Sequence, residues 1–307
     1  MAENYGLPYA GSKSRIAHWV IDHLPRGRVL IDAFAGGCAI THRALLSQKW
    51  QTIIANDING KYPQLFLDAI HGRYRDERRW ISREDFERLN EKDAFVSCCW
   101  SFGNKLRSYM YSPAIEPYKR ALHYAIVFDE FEPMQELMPE VAQAVHDAIQ
   151  GQNDLHDRRV TAQKVIVKTL KRLTDDNFAH PIIRHARLQS LERLERLQRL
   201  ERLERLERLQ VASLSYDEID IPADAVVYCD PPYHACDKSL YEGTAKEFDH
   251  NAYYDWCVSV SKTNPIFISE YSIEDDRFEI VAEKQKMTSM ASVKAFNVTE
   301  RLYTVKQ

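Results

Sequence analysis

Residues 28–57 carry the pattern that most limits the fold. Arg28-Val29-Leu30-Ile31-Asp32 is a short, mostly apolar run that reads as a buried strand. It passes into Ala33-Phe34-Ala35-Gly36-Gly37-Cys38-Ala39, and a helix is expected from about Ile40 to Ser47. Strand, glycine turn and helix together open a Rossmann-like sheet and bring a ligand against backbone at a carboxyl strand end. A second strand, Thr52–Asn56, ends at Asp57, where an acid suits ribose hydroxyls. Ahead of these, Ser14 is expected to cap a helix from Arg15 to His23.

A second constraint lies far along the chain. Ala225-Val226-Val227-Tyr228-Cys229 reads as another buried strand, and Asp230-Pro231-Pro232-Tyr233 follows it. Each proline fixes φ and removes an N–H, so nearby carbonyls stand as acceptors without competing donors. Asp230 and the Pro231 carbonyl can accept two hydrogen bonds from one exocyclic amine, and Tyr233 offers a face to a planar base. Those groups suit methyl transfer to a nucleobase amine. The plainer alternative is a strand followed by a Pro-Pro turn.

The 307 residues are 45% hydrophobic and 28% charged, the composition of a soluble globular chain with one large domain or two unequal ones. A net charge of −4 excludes a basic nucleic-acid coat, so any nucleic-acid surface is local. No apolar run reaches the length of a membrane span, and Met1–Lys13 lacks the apolar core of a signal peptide. The six cysteines form no C-x-x-C pair and read as reduced, packed residues of a cytoplasmic protein without a metal site.

These motifs resemble those of the Dam-like DNA adenine-N6 methyltransferases. Leu7-Pro8-Tyr9-Ala10-Gly11-Ser12-Lys13 resembles the family's N-terminal cofactor motif, and Asp32–Gly37 its glycine-rich loop. Asp57 matches its ribose-binding acid and Asp230–Tyr233 its catalytic tetrapeptide. Pro265–Tyr271 and Thr299–Tyr303 resemble its closing strands. Cys38 stands where the family usually has a second loop glycine, and a side chain there is expected to crowd the cofactor's methionine part. The resemblance implies S-adenosylmethionine as cofactor. Tyr9 and Lys13 would approach its methionine end, and Asp32, Phe34 and Gly36 would line the loop. Asp57 would hold the ribose, and Tyr216 or Asp217 would reach its adenine. It also implies a class I methyltransferase domain, a phage or bacterial setting, and a restriction-modification context.

The middle of the chain is the candidate DNA-recognition region. Arg73, Arg75, Arg78, Arg79, Arg83 and Arg88 are dense but interleaved with acids, as on a solvated helix. Cys99–Tyr109 mixes aromatics with Asn104, Lys105 and Arg107 around a glycine, groups that stack on bases or contact base edges and phosphates. The alternative there is an aromatic core strand with a turn. Residues 158–187 hold eight Lys or Arg against Asp175 and Asp176. Lys164, Lys168, Lys171 and Arg172 fall at helical spacing on one face, a plausible phosphate track.

From Leu188 to Leu209 every third residue is leucine. At 3.6 residues per turn such a stripe rotates by roughly 60° per triplet, so no single partner covers it. A helix with a shifting buried face is expected, or else a solenoid-like coil, serving as spacer or oligomer contact. The C-terminal part reads as helix (252–260), strand (265–269) and strand (301–305). The loop 234–250, with Tyr241, Phe248 and His250, is placed to close over a base.

The expected architecture is α/β: a Rossmann-like class I methyltransferase domain from 1–60 and 211–307, a mainly helical recognition insertion at 61–187, and the leucine repeat at 188–210. The expected activity is methylation of adenine N6 in double-stranded DNA by a monomer or weak dimer, with no membrane or metal partner. The alternatives are an RNA or protein-amide methyltransferase of the same fold, or a nucleic-acid-binding protein that has lost catalysis.

Overall fold

The computed structural model describes residues 4–173, 187–203, 208–233, 248–288 and 296–307. The chain divides into two compact units, Met1–His71 with Arg202–Gln307, and Gly72–Glu201.

The first unit is built on one seven-stranded sheet. Its strands are β1 (Gly27–Asp32), β2 (Trp50–Asn56), β3 (Leu209–Ala212), β4 (Val226–Cys229), β5 (Ile266–Glu270), β6 (Phe278–Thr288) and β7 (Phe296–Val305). Their order is β3-β2-β1-β4-β5-β7-β6. The first five pair in parallel, and β7 runs antiparallel to both β5 and β6. This is the Rossmann-like methyltransferase fold. Order reverses between β1 and β4, the point at which doubly wound sheets open a crevice at their carboxyl ends.

Both faces of the central strands are covered. Val29, Ile31, Val227, Ile266 and Ile268 pack with Tyr253 and Cys257 of the helix His250–Val260, while Leu30 on the opposite face is equally buried. This explains the continuous apolar runs of β1 and β4, since parallel strands sandwiched between helices lose the alternation of a half-exposed sheet. The helices α1 (Ala17–His23), α2 (Ala39–Ser47) and α3 (Lys61–Ile70) belong to the same unit. Ser14 does not cap α1: its Oγ accepts from the Tyr5 N–H at 2.8 Å, and Lys13–Arg15 form a 3₁₀ turn.

Two strands were not expected from the sequence. β3 sits at the end of the leucine repeat, where the period of three hides any alternation. β6 is the edge strand, rich in Glu and Lys, with a register shift between Ile280 and Ala282. Charge and a bulge keep such an edge from pairing with other chains, and the same features mask it as a strand.

The second unit is helical: α4 (Arg83–Leu89), α5 (Ala94–Trp100), α6 (Glu116–Phe128), α7 (Glu132–Leu137), α8 (Pro139–Ile149), α9 (Leu155–Leu173) and α10 (Gln189–Gln198). Among the described residues of the leucine repeat, Gln189–Gln198 are α-helical. Beyond α10, Arg199–Leu203 form a 3₁₀ turn. Leu188, Leu191, Leu194, Leu197, Leu200 and Leu203 are all buried. The change of helix type accounts for part of this. At three residues per turn, leucines at i and i+3 stack in line instead of drifting.

Several basic residues are spent inside this unit. Arg158 donates to the carbonyls of Ala125, Ile126 and Gln152 and to Asp129, while Arg159 pairs with Glu192 and Glu195. The basic segment 158–187 therefore has these two turned inward, neither of them on the expected track. Lys164, Lys168 and Lys171 remain exposed along α9, where Ile166 and Leu170 turn inward. The Arg172 side chain and Arg184 lie outside the described residues. Arg75, Arg79, Arg83 and Arg88 pair with Glu201, Asp93, Glu116 and Asp85, as expected of a solvated, charge-paired surface.

Candidate active site

The carboxyl ends of β1 and β4 lie side by side, with Asp32 opposite Tyr228 in register. After β1 the chain turns through Phe34 and Gly36, both half-buried, into α2. Gly37 is required here by a close approach of the chain to itself: a Cβ would fall 2.5 Å from the Tyr9 Cβ. Tyr9 thus packs on the loop, and the Leu7 N–H donates to the Gly37 carbonyl at 2.7 Å. Asp57, just past β2, accepts from the Gly36 N–H and the Asn59 N–H at 2.8 Å each. Burial pushes its carboxyl pKa up, and those two bonds oppose the rise. Ile58 beside it is 64% exposed, an apolar rim that sequence reading passed over because a lone isoleucine after a strand carries no signal.

Asp32 is 1% exposed and spends Oδ2 on the Thr41 N–H (3.1 Å) and hydroxyl (2.7 Å). Its carboxylate therefore holds the first turn of α2, and the fold gives it no surface toward a cofactor. Burial, chiefly, and the nearby Asp230 charge raise its pKa to about 7, against the Thr41 bonds. Cys38 is 0% exposed as well, so it cannot crowd a ligand in the crevice. It is the residue before α2 and has φ +58°, a left-handed conformation that favours glycine and costs other residues about 1–2 kcal/mol.

The raised pKa of Asp32 has a measurable consequence. A carboxyl whose folded pKa lies above its unfolded value stabilises below the unfolded value and loses that contribution as pH rises through the folded one. The window is therefore about pH 4 to 7. Asp32→Asn keeps an acceptor for Thr41 and cannot ionise. Its stability relative to wild type should improve by on the order of 3 kcal/mol between pH 4 and 8, read by urea unfolding at both values. A pH-independent difference would show that Asp32 does not titrate in this window.

Asp230 ends β4, and its Oδ1 accepts from Lys13 Nζ at 2.6 Å. The sequence placed Lys13 toward the cofactor; the fold sets its ammonium on the acid of the tetrapeptide. The same nitrogen lies 3.7 Å from Glu300 Oε1 and 4.5 Å from the Tyr233 ring centroid. The Tyr233 hydroxyl donates to Glu300, and its ring meets Tyr271 edge-on at 4.7 Å. Tyr233 is 8% exposed in this arrangement, so a stacking base must displace part of its cover. Pro231 is buried and Pro232 half-buried. Tyr216 stacks on Phe34 and packs against Phe248, Tyr253 and Trp256, whereas Asp217 is exposed in a turn and accepts from the Ser215 hydroxyl. Tyr241 lies outside the described residues.

In the helical unit, residues 100–110 form a tight protruding loop. Met110 N–H donates to the Trp100 carbonyl at 2.8 Å and Phe102 N–H to the Ser108 carbonyl at 2.7 Å. Gly103, Asn104 and Leu106 all take positive φ, which folds the tip back on itself. Lys105 and Arg107 are exposed, Asn104 half-buried, and Phe102 61% exposed. The root is core: Trp100, Tyr109 and Tyr111 are buried, the last bonded to Ser190 at 2.9 Å. The segment thus has an aromatic core at its root and polar groups presented at its tip.

Arg193 of the leucine repeat anchors that root. Its Nη1 donates to the carbonyls of Cys98 (3.0 Å) and Ser101 (2.6 Å) at the end of α5. The repeat gave no sign of this, because Arg193 looks like every other arginine in it. Arg193→Met should leave those carbonyls unpaired and loosen the loop, costing about 1–3 kcal/mol. Faster amide exchange confined to residues 101–110 would report it; unchanged exchange there would dismiss the anchoring role.

Residues 9–136 match the family of D12 class N6 adenine-specific DNA methyltransferases. The match takes in the glycine loop, Asp57 and the loop at 100–110, and stops short of Asp230–Tyr233. No curated protein matches the chain. No described helix is long and apolar enough to cross a membrane. Among the described residues, no cluster of three or more His, Cys, Asp or Glu is placed to hold a metal ion.

Proposed function

We propose that this methyltransferase transfers a methyl group from S-adenosylmethionine to N6 of an adenine flipped out of duplex DNA. The observation that carries the reading is the meeting of the glycine loop and Asp230–Tyr233 at the carboxyl ends of β1 and β4, where the strand order reverses. The residues there fit the cofactor. Asp57 has acceptor positions left for ribose hydroxyls after its two backbone bonds, since each carboxylate oxygen takes two. Phe34, Gly36 and Ile58 offer half-buried or exposed surface beside it. Bound there, S-adenosylmethionine supplies an electrophilic methyl group.

The chain's part is positioning and electrostatics. A base within a duplex cannot present its amine in line with a methyl donor, so it must leave the stack. Asp230 and the Pro231 carbonyl accept the two N6 hydrogens, raising electron density on the nitrogen and aiming its lone pair. Asp230 can do this while it serves Lys13, again because each oxygen takes two bonds. One N6 proton leaves after the new N–C bond forms, through Asp230 to solvent. Exposed Phe102, Lys105 and Arg107, with Asn104 and the α9 lysines, supply stacking, base-edge and phosphate contacts. Buried Cys38 gives no support to a binding module that has lost catalysis.

The test is methyl transfer from labelled S-adenosylmethionine to unmethylated duplex DNA, followed by nucleoside analysis. Label in N6-methyladenine is expected. Bound cofactor with unlabelled DNA would overturn the reading and direct the search to RNA or protein acceptors.

A further inference from the structure

Glu300 lies on β7, 70 positions beyond Asp230, in a strand that runs antiparallel to β5. Its side chain is 0% exposed. A carboxylate at such a site is costly unless its partners compensate it. Two of its partners are catalytic candidates: the Tyr233 hydroxyl, which donates to Oε1, and Lys13 Nζ at 3.7 Å from the same oxygen. Lys13 in turn holds Asp230 at 2.6 Å. The acid and the aromatic of the tetrapeptide are thus tied to one buried oxygen by two routes, through a phenol and through an ammonium.

We infer that Glu300 is a positioning residue for methyl transfer, fixing the Tyr233 ring and the Lys13 ammonium so that Asp230 meets the N6 amine in register. The inference rests on the methyl-transfer reading above. Glu300 touches neither cofactor nor base; it acts through Tyr233 and Lys13. The pair Lys13 and Tyr233 comes from two ends of the unit, and Glu300 is where they are joined. Asp32 and Tyr228, both buried, also act on this constellation: each couples to Asp230, and Tyr228 also to Glu300.

The experiment compares kcat, both KM values and the pH profile of kcat for wild type, Glu300→Gln, Tyr233→Phe and the double variant. Glu300→Gln keeps the side chain's size and an acceptor oxygen but removes the charge. We expect kcat to fall about tenfold to a hundredfold, as for a small misplacement of reacting groups, with each KM within about twofold of wild type. The acid limb of the kcat profile should move to lower pH, because Asp230 ionises more readily without a second carboxylate nearby. The double variant should be no slower than the slower single variant, since the Tyr233 hydroxyl acts through Glu300. A wild-type kcat and acid limb in Glu300→Gln, or losses that multiply in the double variant, would overturn the inference. Should Glu300→Gln fail to fold, Glu300→Asp keeps the charge and shortens the reach to Tyr233. A lowered kcat with an unmoved acid limb is then expected, and an unchanged kcat would overturn it. If wild type itself transfers no methyl group to DNA, the functional reading fails and this inference falls with it.

Discussion

Asp230→Ala is expected to lower methyl transfer by about a thousandfold while DNA affinity stays within about twofold of wild type. The carboxylate ends β4 and already carries Lys13 at 2.6 Å, so it is held in place before any base arrives. On the proposed mechanism, removing it deletes an acceptor aimed at the nitrogen on which positive charge develops, the kind of group whose loss costs most in turnover. It deletes nothing from the exposed loop at 100–110 or from Lys164, Lys168 and Lys171, which belong to the helical unit. Asp230→Asn, with one acceptor oxygen and no charge, should fall between the two. Single-turnover rates with excess enzyme and equilibrium DNA binding separate these effects. Turnover that survived Asp230→Ala would remove this carboxylate from the chemistry.

The parts of the molecule that were legible in the sequence are those whose physics is local. β1, β2 and β4 announce themselves as short apolar runs because both faces of each are covered, and the turn residues after them mark their carboxyl ends. Asp57 and the tetrapeptide follow from the same reading. The Lys13–Asp230–Glu300 constellation was not legible, because 217 residues separate the first two and a further 70 the third. Glu300 looked like one polar residue in a closing strand. Asp32 shows the opposite error: an acid at a strand end suits a ligand by pattern, but the first turn of α2 lies closer and takes it. The leucine repeat was legible as a helix with buried leucines over Gln189–Gln198, but not its passage from α to 3₁₀ at Arg199, because a period of three is shared by both readings of it. Tyr233 adds a further lesson, since its sequence context implied an open stacking face and the fold buries the ring between Lys13 and Tyr271.

Lys13→Met is expected to destabilise the first unit by about 3–5 kcal/mol at pH 8, the cost of leaving buried charge without its partner. The ammonium stands between Asp230 and Glu300, 2.6 Å from one and 3.7 Å from the other. Methionine replaces the apolar stem but not the charge, so the loss is electrostatic more than steric. Without the ammonium, the two carboxylates repel and bind protons more tightly in the folded chain than in the unfolded one. Their folded pKa values then exceed the unfolded ones, so the penalty is small at acid pH and grows as pH rises. Urea unfolding of Lys13→Met should therefore approach wild-type stability near pH 4 to 5 and fall away from it toward pH 8. Adding Glu300→Gln to Lys13→Met removes the deeper of the two charges and should recover more than half of the loss at pH 8. A deficit that is the same at both pH values, or that Glu300→Gln deepens, would mean that Lys13 contributes packing and not the charge that holds the two acids together.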